Sequence, residues 1–169
     1  MSNKQVSAGD GAPIGNKADL IRLFERGERP RADWKIGTEH EKFVFRLSDH
    51  GQPGWDEPNG IRDLLMAFGR FGWEPLFEDG KVIAATGPDG SLSLEPAGQF
   101  ELSGAMLDNL HQTCAETGRH RQQCLEVGAE LGLGFLGLGF NPTATRDALP
   151  WMPKGRYAIM RRHMPRVGT

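Results

Sequence analysis

The sequence predicts an α+β protein built on a mainly antiparallel sheet. Short segments of alternating apolar and polar residues lie between residues 36 and 103. Gly, Pro and Asp separate several of these segments, as in hairpin turns, which join antiparallel strands. Segments with a helical apolar period precede, interrupt and follow them. The sheet and its helices therefore belong to one mixed fold.

The chain has 169 residues, the length of one domain. Its 20 basic and 22 acidic residues give a net charge of −2, which argues against a nucleic-acid partner. No apolar run approaches the roughly 18 residues of a membrane span, so no membrane partner is expected. The N-terminus lacks the apolar stretch of a secretory signal peptide, and we expect a cytoplasmic protein.

Residues 1–15 are rich in Gly, Ser and Ala, and we expect them to be disordered. A first helix over 16–26 begins at Asn16, and Gly27 marks its end. Its apolar stripe consists of Leu20, Ile21 and Phe24. A strand covers 36–45, and a second helix over 59–70 is capped by Asn59. The residues expected to face inward from the second helix are Ile61, Leu64, Leu65 and Phe68.

A meander of four short strands follows, with turns at 78–80 and 87–90. These strands cover 73–77, 81–86, 91–95 and 98–103. A long helix over about 106–131 is followed by a strand at 134–140 and a final turn and helix at 152–164. The inward stripe expected for the long helix consists of Leu107, Leu110, Cys114, Leu125 and Leu131.

Two cysteines and two glycines lie within the predicted long helix. Cys114 and Cys124 are separated by about 15 Å along the helix axis, too far for a mutual disulfide. Two buried thiols are the simplest interpretation, although a bridge from either one to another segment stays open. Gly118 and Gly128 each cost about 1 kcal/mol relative to Ala, which close packing would explain.

The segment "IGTEHEKFVF" places Glu39 and Glu41 two residues apart, ahead of Phe43 and Phe45. On a strand all four side chains share one face, with the two carboxylates roughly 7 Å apart. At an effective dielectric constant of about 20 they repel by roughly 2 kcal/mol. Either a cation lies beside the two carboxylates, or they point into solvent from a strand edge. This pair alone does not distinguish the two possibilities.

The segment "SLSLEPAGQFELS" favours the cation. Its odd positions carry Glu95, Gln99 and Glu101, although Pro96 introduces a bend that weakens the parity argument. The even positions form an apolar face of Leu92, Leu94, Phe100 and Leu102. Mg²⁺ prefers oxygen ligands, usually one or two carboxylates together with water and phosphate oxygens. Four glutamates on two strands could serve two or more such ions, a pattern typical of proteins that bind nucleoside triphosphates.

Five blocks, in this order and spacing, resemble glutamate–cysteine ligases of the plant and proteobacterial type. They are "IGTEHEKFVF", "SLSLEPAGQFELSGA", "LHQTCAE", "GFLGLGFNP" and "MPKGRYAIM". The resemblance runs from about residue 16 to the C-terminus. One departure is Ala97, where the family pattern usually has Gly. A methyl group there could tighten the bulge, and we expect it to be tolerated.

The resemblance implies a curved antiparallel sheet that forms a funnel, with helices packed on the outer face, as in glutamine-synthetase-like carboxylate–amine ligases. It also implies that residues 16–169 are the N-terminal part of a single catalytic ligase domain, truncated at the C-terminus. The implied reaction uses ATP and Mg²⁺ to join the γ-carboxylate of L-glutamate, through γ-glutamyl phosphate, to the amino group of L-cysteine. This is the first step of glutathione biosynthesis.

By the same resemblance, Glu39 and Glu41 would be Mg²⁺ ligands, with Glu95 and Glu101 completing the ion sites. Gln99 would lie in the same wall and bind substrate or a water. In "PKGRY", Arg156 is a candidate catalytic and substrate-binding anion contact, and Lys154 and Tyr157 are further candidate substrate-binding residues. The alternative for Arg156 is a solvated charge at a helix start. Two apolar residues could line a cysteine pocket or pack in the core: Phe140 and Met152. The block "LHQTCAE" motivates a disulfide from Cys114 to a residue outside the chain.

Two other functions stay open. A related ligase could join glutamate to a different amine, or a non-catalytic module of the same fold could bind a partner. Four retained acids argue against the second. The sequence does not predict the oligomeric state, and the isolated piece is expected to bind Mg²⁺ weakly without ligating.

Overall fold

The computed structural model describes residues 13–88 and 90–168, and it confirms the α+β class. Within these residues, six strands form an open antiparallel sheet in the order β2-β3-β4-β5-β1-β6. The strands are β1 Glu39–Arg46, β2 Glu74–Glu78, β3 Lys81–Gly87, β4 Gly90–Leu94, β5 Phe100–Ser103 and β6 Leu133–Leu136. The helices are α1 Lys17–Glu25, α2 Ile61–Ala67, α3 Leu110–Leu131 and α4 Gly155–Val167. Asp89 of the predicted turn and residues 1–12 of the expected disordered N-terminus lie outside the described residues.

The two faces of the sheet differ in polarity, as the strand alternation predicts. One face packs against α2 and α3, and its even-numbered residues are almost fully buried. These are Val44, Leu92, Leu94, Phe100 and Leu102. The opposite face carries Glu41, Ser93 and Glu101. The β1 strand lies between β5 and β6, so the first strand of the sheet pairs with strands that come much later in the sequence.

Both early helices form, with two differences from the expectation. Asn16 caps α1 through a capping box with Asp19, as predicted, but α1 has no buried residue and its apolar stripe is exposed. In α2 the cap is Gly60 and not Asn59. Asn59 has a φ of 58°, and its N–H donates to the Asp63 carboxylate instead. The hydrogen bond of the Asn59 N–H is thus made within a local turn, and the predicted cap by the Asn59 side chain does not form.

Most of the expected inward stripe of α3 is wrong: Leu131 packs against the core as expected, but Leu107 lies before the helix begins. Leu110 and Leu125 are exposed, and Cys114 is an exposed thiol, so two buried thiols are not present. The residues that face the sheet are Glu116, His120, Cys124, Val127 and Gly128. Both cysteines are free, which agrees with the predicted absence of a mutual disulfide. The leucines of this helix are spread around its circumference, so they form no single apolar face. The face that packs against the sheet is more polar than the predicted stripe.

The two glycines of α3 have different environments. A Cβ at Gly128 would lie 2.5 Å from the Leu133 carbonyl oxygen and 3.0 Å from Phe135, so helix and strand approach too closely for a side chain there. A Cβ at Gly118 would meet nothing within 4 Å. Close packing therefore explains Gly128 and does not explain Gly118. In the part of the chain described, no helix has the length and apolar character needed to cross a bilayer.

Candidate active site

Two glutamates predicted as metal ligands lie directly opposite each other in the sheet. Glu41 of β1 is paired with Glu101 of β5, which is paired in turn with Ser93 of β4. Directly opposed residues have Cβ atoms about 4.5–5.5 Å apart, closer than the spacing along one strand. The neighbouring row contains Glu39, Ser103 and Ser91. We refer to Glu39, Glu41, Ser93, Glu101 and Ser103 as the acidic wall.

The carboxylates of the directly opposed pair, Glu41 and Glu101, differ in their exposure to solvent. Glu41 is exposed, whereas Glu101 retains only 2% of its accessible surface. The Ser93 hydroxyl donates to Glu101 Oε2 at 2.9 Å, and the Ser103 hydroxyl donates to Oε1 at 2.7 Å. Burial raises the pKa of Glu101, but these hydrogen bonds outweigh it and leave the pKa below its ordinary value. The wall therefore holds a buried carboxylate in its ionised form.

Glu95 lies just beyond the end of β4, where it meets the "PKGRY" block. Arg156 donates to Glu95 Oε1 at 3.1 Å, and its guanidinium carbon lies 5.1 Å from the centroid of the Tyr157 ring. Burial raises the pKa of Glu95, and the Arg156 and Lys154 charges oppose that rise. The structure thus brings Glu95 to a cation. Arg156 is exposed at the start of α4 and paired with Glu95, and its role as an anion contact stays a prediction.

The other polar residues of this block are anchored to the sheet. Lys154 Nζ and the Tyr157 hydroxyl both donate to the Leu94 carbonyl oxygen, each at 2.6 Å. Burial lowers the pKa of Lys154 to about 8 and raises that of Tyr157 to about 12. The Glu101 charge also acts on Lys154 and Arg156, so the block and the wall share one electrostatic environment.

Gln99 lies in the turn that joins β4 to β5. Its Nε2 is buried and has no hydrogen-bond partner among the described residues. Ala97, in the same turn, has a φ of 68°, and its carbonyl accepts a hydrogen bond from Gln52 Nε2. An L-residue is strained in this conformation, whereas Gly adopts it readily.

The two candidate pocket residues have opposite environments. Met152 is 3% exposed and belongs to the core, where it would touch a Cβ added at Gly98. Phe140 is 74% exposed, so it does not pack in the core. Met152 therefore packs in the core, which was one of its two predicted roles. A role for Met152 or Phe140 in a cysteine pocket stays a prediction.

A cleft of about 600 Å³ adjoins this site and was not predicted. It contacts the site through Pro96 and Tyr157, the neighbours of Glu95 and Arg156. The remaining lining residues are Arg146, Asp147, Trp151, Met160, Arg161, Met164 and Pro165. Trp151 is half exposed, and Arg161 lies 4.6 Å from its ring centroid.

Sequence reasoning also missed Ser93 and Ser103. Both have the strand parity of the glutamates: Ser93 precedes Glu95 by two residues, and Ser103 follows Glu101 by two. The alternation that identified the acids therefore also marked their hydroxyl donors. By contrast, Arg146, Trp151 and Arg161 come together only through folding, and no spacing in the sequence indicates the cleft.

The antiparallel sheet thus carries a buried, ionised glutamate on one face, close to Lys154 and Arg156. The chain belongs to the family described as Glutamate-cysteine ligase family 2 (GCS2), whose sequence model matches residues 35–169. It is 48% identical over 154 residues to glutamate–cysteine ligase A, chloroplastic, of Oryza sativa subsp. japonica. It is 47% identical over 154 residues to glutamate–cysteine ligase, chloroplastic, of Arabidopsis thaliana.

Each of these two matches covers 90% of this chain but only 31% and 29% of the respective relative. The chain thus spans about a third of the length of these proteins. Their names place them in the chloroplast, which contradicts the cytoplasmic location expected from the N-terminus. That expectation failed because a missing apolar stretch argues only against secretion, whereas organelle transit peptides are amphipathic and need no such stretch.

Proposed function

We propose that this chain supplies the metal-binding wall of an ATP-dependent ligase that joins L-glutamate to L-cysteine. The products are γ-glutamylcysteine, ADP and phosphate, and γ-glutamyl phosphate is the intermediate. The observation that carries the proposal is the pair of opposed carboxylates, Glu41 and Glu101, with two serine hydroxyls donating to Glu101. Family membership and the names of the relatives support the same reaction.

The proposed ion is Mg²⁺. Within the described residues no three His, Cys, Asp or Glu side chains are grouped to hold a metal, so the ion site that we propose rests on the opposed pair Glu41 and Glu101. Mg²⁺ commonly binds in that way, with water and substrate phosphates as its other ligands. Glu41 and Glu101 would hold one ion, and Glu39 and Glu95 would contribute to others. Bound Mg²⁺ neutralises charge on the transferred phosphoryl group.

The residues beside the wall would bind and orient the substrates. Arg156 presents paired donors suited to a carboxylate or phosphate, and the Glu95 contact orients it. The buried Gln99 amide has a donor that a substrate oxygen would satisfy. Lys154 and Tyr157 fix the start of α4 against β4. Met152 packs against Gly98 in the turn between β4 and β5. Phe140 would contact the side chain of the substrate cysteine from the protein surface.

Two structural proposals accompany this function. The sheet would form part of the curved funnel of a glutamine-synthetase-like carboxylate–amine ligase, with the polar face lining the funnel and α2 and α3 outside. Cys114 would form a disulfide with a residue outside the chain, and its exposed position on α3 supports this. An unchanged thiol count with and without reductant, measured in a longer protein that contains this chain, would contradict the disulfide.

A chimera tests the activity, because the chain spans only part of its relatives. The 154 matched residues replace their counterpart in the rice ligase, and glutamate-dependent ADP release is measured across a panel of amines. We expect cysteine to be the preferred acceptor and Glu101→Gln to lower turnover at least 100-fold, whereas Ser91→Ala stays within 3-fold. Preference for another amine would favour the related ligase, and full activity of Glu101→Gln would contradict the metal role. The 169-residue chain alone should form no γ-glutamylcysteine.

A further inference from the structure

A cavity of about 80 Å³ lies between α3 and the sheet, apart from the acidic wall. Glu116, Arg119, His120 and Gln123 line it from successive turns of α3. The remaining lining residues are Phe71, Trp73, Pro88 and Leu102. The cavity is therefore polar along the helix and mostly apolar elsewhere.

Two buried side chains of this cavity have unpaired polar atoms. Glu116 is 4% exposed, and its Oε1 accepts a hydrogen bond from the Ala105 N–H at 2.7 Å. His120 is 2% exposed, and its Nε2 lies 3.5 Å from Cys124 Sγ. Glu116 Oε2 and His120 Nδ1 have no partner among the described residues. An unpaired buried polar group is destabilising, so an occupant that pairs both atoms would be stabilising.

We propose that this cavity is a built hydration site, whose water molecules bridge Glu116 Oε2 and His120 Nδ1. A water takes up about 30 Å³, so the volume accommodates about two. Water fits better than a metal ion because no three acidic, His or Cys side chains among the described residues are grouped to hold a metal, and Arg119, which lines the cavity, brings a positive charge.

The protonation states of Cys124 and His120 limit which atoms of this site donate hydrogen bonds and which accept them. Burial raises the pKa of Cys124 to about 12 and lowers that of His120 to about 3, so the thiol is protonated and the imidazole is neutral near pH 7. We assign His120 the Nδ1–H tautomer, in which the thiol donates to Nε2, the Nδ1–H donates to a water, and a water donates to Glu116 Oε2. In the Nε2–H tautomer the ring would instead donate to the thiol sulfur and accept from a water at Nδ1. The chain of bonds continues to the Ala105 amide and so joins α3 to the end of β5.

A crystal structure of this chain, at a resolution that shows ordered water, tests the site directly. We expect two water peaks in the cavity, with one within about 2.7–3.2 Å of Glu116 Oε2 and one equally close to His120 Nδ1. An empty cavity would overturn the proposal. So would a peak with contacts of about 2.0–2.2 Å, which indicate a metal ion.

Two solution measurements add independent tests. Nitrogen-15 shifts of the His120 ring should report the Nδ1–H tautomer, and the Nε2–H tautomer would contradict the hydrogen-bond direction. Water relaxation dispersion, which counts long-lived internal waters, should show a loss of two in the Glu116→Met, His120→Phe double variant. Gln122→Ala, on the exposed face of α3, is the matched control and should lose none. An unchanged count in a folded double variant would overturn the proposal.

Discussion

Ser93 and Ser103 each donate a hydroxyl hydrogen to the buried carboxylate of Glu101. Replacing either with Ala removes a hydrogen bond to a charged group, and we expect the free energy of unfolding to fall by about 1–3 kcal/mol. Urea denaturation at pH 7 measures this loss. Ser91→Ala, on the same face of β4, is the matched control and should change it by less than about 0.5 kcal/mol. Equal effects of all three variants would contradict a specific role for the two hydroxyls.

Ala97 has a φ of 68° in the turn before β5. An L-residue in this region costs about 1–2 kcal/mol, while Gly loses about 0.5–1 kcal/mol more conformational freedom on folding. We therefore expect Ala97→Gly to raise the free energy of unfolding by about 0.5–1 kcal/mol. Ala67→Gly, at a φ of −63° on the last turn of α2, should lower it by a similar amount. Two changes of the same sign, measured by urea denaturation, would contradict this account of the turn.

The elements show which features the sequence predicts and which it does not. Alternation in β4 and β5 correctly placed Leu92, Leu94, Phe100 and Leu102 on the buried face, because a strand has a period of two whatever its partners. The pairing of Glu41 with Glu101 could not be read from the sequence, since β1 joins β5 across more than 50 intervening residues. The inward face of α3 was wrong because contacts with the sheet, and not leucine spacing, decided it.

The two glycines of α3 give a matched prediction at the same scale. Gly118→Ala should raise the free energy of unfolding by about 1 kcal/mol, because a Cβ there meets nothing and Ala favours a helix. Gly128→Ala should lower it by about 1–3 kcal/mol, because its Cβ would overlap the Leu133 carbonyl in β6. Thermal or urea unfolding of both variants measures the difference. Stabilisation by Gly128→Ala would show that α3 and β6 are less closely packed than described.

For the whole molecule, two buried lysines predict how stability depends on pH. Burial lowers the pKa of both Lys42 and Lys154 to about 8, whereas an unfolded chain has a lysine pKa of about 10.4. Between these values the unfolded chain binds more protons, so each lysine makes stability rise with pH, by up to about 1.4 kcal/mol per pH unit. Below about pH 8 both states are protonated, and the lysines add no slope.

Lys42→Met tests this dependence, since it removes one of the two groups and keeps a long side chain next to Phe100. We expect the variant to lose about half of the lysine-dependent slope between pH 8 and 10.4, as measured by urea denaturation at several pH values. The difference in unfolding free energy between variant and wild type should be constant from pH 6 to 7. A difference that stays constant up to pH 10 would show that Lys42 titrates normally.

The acidic wall as a divalent-cation site is the claim on which the proposed function rests. Mn²⁺ is a paramagnetic substitute for Mg²⁺, and its binding broadens the NMR signals of nearby amides. Titrating the chain with Mn²⁺ should broaden the amide signals of Glu41, Ser93 and Glu101, and leave those of α2 unchanged. Glu101→Gln should weaken this broadening, and Ser91→Ala should not. Broadening confined to other parts of the molecule, or equal broadening in Glu101→Gln, would contradict the assignment of the wall.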